Sequence, residues 1–213
     1  MTDLGTLGGR RSEAVAITDA GQVIGTGTTA SGSEHAFLWQ NGSLTDLGSL
    51  PGEESAPTAI SGNGTVVGYA SPSMGDPDHA LAWQNGKLHD LGSFASNNKH
   101  AIAIDPAGRI LVSTFRPDMH AFLWTDGSSV EIGRRHTEAE GLNDHDWVIG
   151  TALFRKHGPQ IPFVWHAGGM TALPTLAGPG PPTSAAYRIN DNRWIVGRSY
   201  TDRGDRAVLW TPQ

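Results

Sequence analysis

The chain contains no cysteine, which excludes disulfides, thiolate catalysis and cysteine-ligated zinc together. It also has no apolar run near the roughly 18 residues of a membrane-spanning helix, and no signal-peptide pattern follows Met1. The expectation is a soluble protein without a membrane partner. A cytoplasmic location is favoured, while the mature domain of an exported protein has the same features. Positive charge is scarce: the net charge of −6 argues against a nucleic-acid partner, whose phosphates call for a basic surface. No glycine-rich phosphate loop opens a helix, no Ser, His and acid grouping stands out, and nothing marks a redox group. No cofactor is expected. Long helical patterns are missing as well, because 28 Gly and 13 Pro interrupt the chain too often.

What the sequence does have is repetition. A Trp closes a short apolar run at Trp39, Trp83, Trp124, Trp165 and Trp210, at intervals of 44, 41, 41 and 45 residues. A strand, turn and strand pattern recurs in step, around Ile17, Ile60, Ile104, Leu142 and Ile189. Asp-Leu-Gly recurs too, at Asp3, Asp46 and Asp90, decaying to Glu131-Ile132-Gly133 and Ala172-Leu173-Pro174. Asn41-Gly42, Asn85-Gly86 and Asp126-Gly127 are hairpin dipeptides that join the third run of a unit to the fourth. Four short antiparallel strands per unit make a propeller blade.

The fold expected is therefore all-β, a five-bladed β-propeller in one domain with 20 strands, four antiparallel strands per blade. The repeat units span 2–44, 45–88, 89–130, 131–170 and 171–213. The chain opens on a fourth strand and stops after a third, so Asp3 to Leu7 is expected beside Arg206 to Trp210, the N-terminal strand closing the last blade. A monomer is expected.

The recurring His35-Ala36-Phe37 and His120-Ala121-Phe122, with Asp3 to Gly9, resemble the bacterial HAF (His-Ala-Phe) repeat family. The resemblance runs over essentially the whole chain and is most specific in the first three units, whereas units four and five keep the Trp and lose the His. It implies a β-propeller and no particular reaction.

Residues that recur in several units are read as structural, and those that break the repeat as candidates for function. The five Trp are thus core. His35, His79 and His120 tempt a three-His metal site, but third strands stand roughly 10 Å farther from the propeller axis than first strands and diverge outward, so no metal is expected. They are read as satisfied structural histidines.

The first strand of each blade faces the axis, and there blades three to five depart from the repeat with His100, Glu138, Glu140, Tyr187 and Arg188. Charges so placed must be paired, wet or set to meet a ligand. One reading is a structural Glu140 to Arg188 salt bridge lining a watery channel. The other is an acid and base pair, in which a Glu of raised pKa or His100 moves a proton while Arg188 and Tyr187 hold an oxyanion or carboxylate. On the same face the loops of blades three to five carry Arg116, Arg134, Arg135, His136, Arg155 and His157, expected to steer and bind a small anionic ligand. The Pro-rich stretch Ala177 to Pro182 is a wall or lid over that mouth. Asp144-His145-Asp146 is expected to shape a turn on the opposite face, and Trp147 and Trp194, at one repeat position, to pack or meet a partner.

The function expected is a small-molecule site at the top of the axial channel. If it turns substrate over, the chemistry is cofactor-free elimination, isomerisation, cyclisation or hydrolysis. The alternatives are a lectin-like binding module and a protein-interaction scaffold.

Overall fold

The computed structural model describes residues 1–72, 77–91, 99–114, 119–133, 136–155, 158–176 and 184–212. All regular structure among them is β, in five antiparallel sheets. The first sheet holds β1 (Gly8–Ile17), β2 (Val23–Thr29), β3 (Glu34–Gln40) and β4 (Ser43–Gly48) in chain order. The second holds β5 (Glu53–Ile60), β6 (Val66–Pro72), β7 (His79–Gln84) and β8 (Lys87–Asp90). The third holds β9 (Lys99–Ile104), β10 (Ile110–Thr114), β11 (Ala121–Thr125) and β12 (Ser128–Ile132). The fourth has β13 (Thr137–Leu142), β14 (Val148–Leu153), β15 (Gln160–His166) and β16 (Gly169–Ala172). The last holds β17 (Ala185–Ile189), β18 (Ile195–Thr201) and β19 (Gly204–Trp210). The chain divides into two compact units, Met1–Ile110 and Leu111–Gln213.

Each sheet is an up-and-down meander because its connections are too short for anything else. The hairpin dipeptides behave as their composition demands: Asn41, Asn85 and Asp126 sit at φ of 51°, 52° and 48°, each followed by a Gly of positive φ. Ala167-Gly168 takes the same turn in the fourth sheet, with Ala167 held at φ 49°. Within the sheets the middle strands are buried, and Ile24, Val67, Leu111 and Ile149 are all fully enclosed. Trp83, Trp165 and Trp210 are buried as expected of core residues, while Trp39 and Trp124 are half-buried.

The repeated histidines are structural. Each is clasped by the acid eleven residues on: His35 Nδ1 lies 3.0 Å from both Asp46 oxygens, His79 Nδ1 3.2 Å from Asp90 Oδ2, and His120 Nδ1 2.6 Å from Glu131 Oε1. The clasp ties the third strand of a sheet to its fourth. In the fourth sheet Ile161 and Ala172 occupy these two positions, so both partners are lost together and no buried polar group is stranded.

The last sheet differs from expectation. Among the described residues it has three strands, giving 19 in all, and residues 2–6 form none. Local hydrogen bonds bend this opening segment: the Gly5 amide donates to Asp3 Oδ1 (2.9 Å), the Gly8 amide to Thr6 Oγ1 (3.3 Å), and Ser12 Oγ to the Gly5 carbonyl (2.7 Å). Such side-chain turns compete with an extended ladder. Leu7 then makes a single bridge to Thr29.

One constraint recurs in four sheets. The register between first and second strands slips by one residue, leaving Val15, Thr58, Glu140 and Tyr187 unpaired as bulge residues. Opposite each bulge stands Gly25, Gly68, Gly150 or Gly197, where an added Cβ would lie 2.0–2.1 Å from a first-strand carbonyl oxygen. Only glycine fits there. We expect Gly150→Ala to destabilise the protein by about 1–3 kcal/mol or more in denaturant unfolding. Gly62→Ala, in an open turn with nothing within 4 Å, should stay within about 0.5 kcal/mol of the parent. Equal losses for the two would remove the constraint.

Candidate functional site

The bulge decides which side chain leaves the ladder. In β13 the pairs run Thr137↔Ala152, Glu138↔Thr151 and Ala139↔Gly150, then resume at Gly141↔Ile149, so Glu140 is the residue without a partner across the ladder. A bulge re-aims its side chain away from regular alternation. In β17 the corresponding residue is Tyr187, between Ala186↔Gly197 and Arg188↔Val196. A Cβ at Gly141 would meet Ile149 of β14 at 3.3 Å and Ile189 of β17 at 3.8 Å, so β13 packs against β17 at ordinary contact distance there. The four candidates Glu138, Glu140, Tyr187 and Arg188 thus lie on two neighbouring first strands of the second unit.

Their electrostatics are uneven. Glu140 reaches solvent, yet the protein around it removes enough water to raise its carboxyl pKa; the charge of Glu138 pushes in the same direction, and Arg188 pulls back more weakly. A direct Glu140 to Arg188 salt bridge, one of the two expected arrangements, is absent among the described residues. Instead Arg188 Nη1 donates to the carbonyl of Tyr187 at 2.7 Å. The guanidinium is exposed and the Tyr187 ring is 41% exposed. This leaves a cation within electrostatic reach of a carboxyl of raised pKa, with the Tyr187 phenol on the same strand as the cation, groups able to hold an anion and move a proton.

His100 lies in the first unit, within a local cluster. Its Nε2 lies 2.8 Å from Asp78 Oδ2, and its ring stacks on Tyr69 at 3.7 Å with planes 10° apart. Ser71 Oγ donates to the other Asp78 oxygen at 2.8 Å. The acid therefore sits between hydroxyl and imidazole, unlike a Ser, His and acid triad, in which the imidazole is central. Burial, then Asp78 and Glu34, raise the Tyr69 pKa. Beside His100, Lys99 is 4% exposed, and burial lowers its pKa against an upward pull from Asp90. Sequence reasoning passed over Lys99, although Ser12, Ser55, Thr137 and Ser184 hold its repeat position and a lysine departs from four hydroxyls. Tyr69 carried a similar signal, standing where other units have Thr26, Ser113, Thr151 and Arg198.

Of the loop residues, His136 is half-buried at φ 64° and Arg155 is exposed. Arg116, Arg134, Arg135 and His157 lie outside the described residues, as does the Pro-rich stretch Ala177 to Pro182. A cavity of ≈ 420 Å³ near the start of β13, walled by Leu153, Phe154, Trp165 and Met170, takes in none of the expected site residues. Among the described residues no cluster of three or more His, Asp or Glu is set to hold a metal ion. No helix there is long and apolar enough to cross a membrane.

No known protein family's sequence pattern matches the chain, and no curated protein matches it. Solved structures do. TolB from Acinetobacter baumannii is 14% identical, with a TM-score of 0.53 over 93% of this chain and 54% of that one. The β-propeller domain of the Trilobed protease from Pyrococcus furiosus, described as having an open velcro topology, is 9% identical, with a TM-score of 0.59 over 95% of this chain and 69% of that domain. Pyrococcus horikoshii acylaminoacyl peptidase is 10% identical, with a TM-score of 0.56 over 93% and 37%. The chain spans about half the length of TolB. At these identities the likeness is one of fold, and the fold is propeller-like.

Because its pKa is raised, Glu140 binds its proton more tightly in the folded chain than in the unfolded one. Stability is therefore lost as pH rises from the ordinary glutamate range through the raised value. Glu140→Gln should melt above the parent at about pH 7, with the gap closing near about pH 3.5, where both chains are uncharged at this position. A gap of the same size at both pH values would contradict the shift.

Proposed function

We propose that the second unit binds a small anionic molecule at the first strands of its last two sheets and carries out cofactor-free acid–base chemistry on it. Arg188 holds a carboxylate or oxyanion, the Tyr187 hydroxyl donates to it, and Glu140 supplies or accepts the proton. Glu138 keeps the Glu140 proton bound nearer to neutral pH. The reaction class is a lyase, isomerase, cyclase or hydrolase step on an acidic substrate. Arg155 and His136, with Arg116, Arg134, Arg135 and His157, add positive potential that draws the anion in. The observation that carries this reading is Glu140 itself, a carboxyl of raised pKa on a bulge beside a guanidinium that has no acidic partner among the described residues. We read the five sheets as five blades of a propeller of the HAF-repeat kind. The same groups also serve a binding module without turnover, and the experiment below separates the two.

Glu140→Val with Arg188→Ala gives the two positions the residues that the first unit carries there, Val15 and Ala16. The double variant should fold at least as well as the parent, because no charge is left stranded. Screened against a panel of small carboxylates by ligand-observed NMR, the parent should bind at least one, and the double variant should bind it about tenfold or more weakly, ~1.4 kcal/mol. Turnover of a bound carboxylate by the parent alone marks an enzyme, and binding without turnover marks a binding module. Undiminished binding by the double variant overturns the assignment.

A further inference from the structure

The turn between the first and second strands of each sheet ends on a residue in the left-handed region. In the first three sheets it is Gly21, Gly64 or Gly108, at φ of 78°, 84° and 82°. In the last two it is Asp146 at φ 55° and Arg193 at φ 62°, where a side chain costs about 1 kcal/mol or more. The next residue departs as well: Gln22, Thr65 and Arg109 give way to Trp147 and Trp194. Two successive positions thus break the repeat, at a conformational cost, in the turns that follow β13 and β17.

Two of these departures, Trp147 and Arg193, line a cavity of ≈ 600 Å³ in the second unit, within the range of small-molecule sites. Val164, Leu173, Ile195, Leu209 and Trp210 give it an apolar wall, and among the described residues Arg193 is the one charged residue that lines it. In the first unit Leu38 and Leu47 pack against Val66, Leu81 and Trp83 as Val164 and Leu173 pack against Ile195 and Trp210, but there Leu88 from the outer strand β8 adds to the packing. The last sheet has no outer strand among the described residues, and Leu209 is 53% exposed.

The cation at the rim is fixed in advance. Asn143 Nδ2 donates to the Asn190 carbonyl and the Asp144 amide to Asp191 Oδ1, each at 3.0 Å, so the two turns are clamped together. The Arg193 guanidinium lies 5.1 Å from the centre of the Trp147 ring, which stacks at 4.2 Å on His166, itself 3.0 Å from Asp146. A cation–π contact orients a guanidinium without neutralising it. Among the described residues Arg193 has no acidic partner.

We propose that this cavity is a second ligand site, distinct from the Glu140 region, and that it takes an apolar carboxylate: the hydrocarbon body against the aliphatic wall and Trp210, the carboxylate on Arg193. A sugar fits less well, because the Trp147 ring is already engaged by His166 and Arg193 and the wall offers few hydrogen-bonding groups.

The probe is 1-naphthoate, with 1-naphthalenemethanol as its uncharged counterpart, followed by calorimetry and by the indole N–H signals of the protein. The parent should bind naphthoate with shifts at Trp147 and Trp210, and bind the alcohol more weakly. Arg193→Gly restores the repeat's own residue, so it should melt at or above the parent temperature while losing about tenfold or more of the naphthoate affinity. Arg193→Lys should keep most of that affinity, and Glu140→Val with Arg188→Ala should keep all of it. Absence of shifts at Trp147 and Trp210, or equal naphthoate affinity for the parent and Arg193→Gly, overturns the proposal.

Discussion

A carbonyl oxygen resting where a Cβ would stand is the contact on which the rest of this structure depends. At Gly25, Gly68, Gly150 and Gly197 the first strand of a sheet lies so close over the second that no side chain fits between them. The close approach goes with a one-residue slip in register, and the slip frees one side chain per sheet from the ladder. Where that side chain is Thr58, its hydroxyl finds the carbonyls of Val67 and Ala101 and serves structure. Where it is Glu140, no such bond forms among the described residues and a charge is left facing water and Arg188. One backbone device thus yields a structural tie in one sheet and a candidate site in another.

The sheets were legible because their signals are local. Asn-Gly and Asp-Gly specify tight turns wherever they occur, and the apolar runs ending in Trp set the third strands. The structural reading of His35, His79 and His120 could be argued from strand spacing alone, but their partners could not. Each acid lies eleven residues away across a hairpin, at a register that shows only once the strands pair. The bulges were hidden for the same reason: a slip between Ala139 and Gly141 is a property of pairing, and composition does not reveal it. The contacts of His100 were hidden because Asp78 and Tyr69 lie 22 and 31 residues before it in the chain. The opening segment forms no strand because Asp3 and Thr6 hold turns there, a competition that a reading based on apolar pattern does not weigh.

Comparing units with one another singled out candidate residues that no motif marks. Glu140 and Arg188 break the repeat on first strands, Lys99 breaks a row of hydroxyls, and Arg193 and Trp147 break a row of turns. The Lys99 and Arg193 departures carry physical costs, a buried amine in one case and a strained backbone in the other, that a purely structural repeat has no reason to bear. On the turns, neither the positive φ of Asp146 and Arg193 nor the cavity lined by Trp147 and Arg193 is visible in the sequence.

The central claim is that the bulge holds the Glu140 carboxyl in a setting that favours its protonated form. Carbon-13 NMR titration of the labelled glutamate carboxyls tests it most directly. Glu140 should titrate above the ordinary glutamate range of about 4.3, and higher still in Arg188→Ala, where the compensating cation is gone. An ordinary midpoint that does not respond to loss of Arg188 would contradict the account.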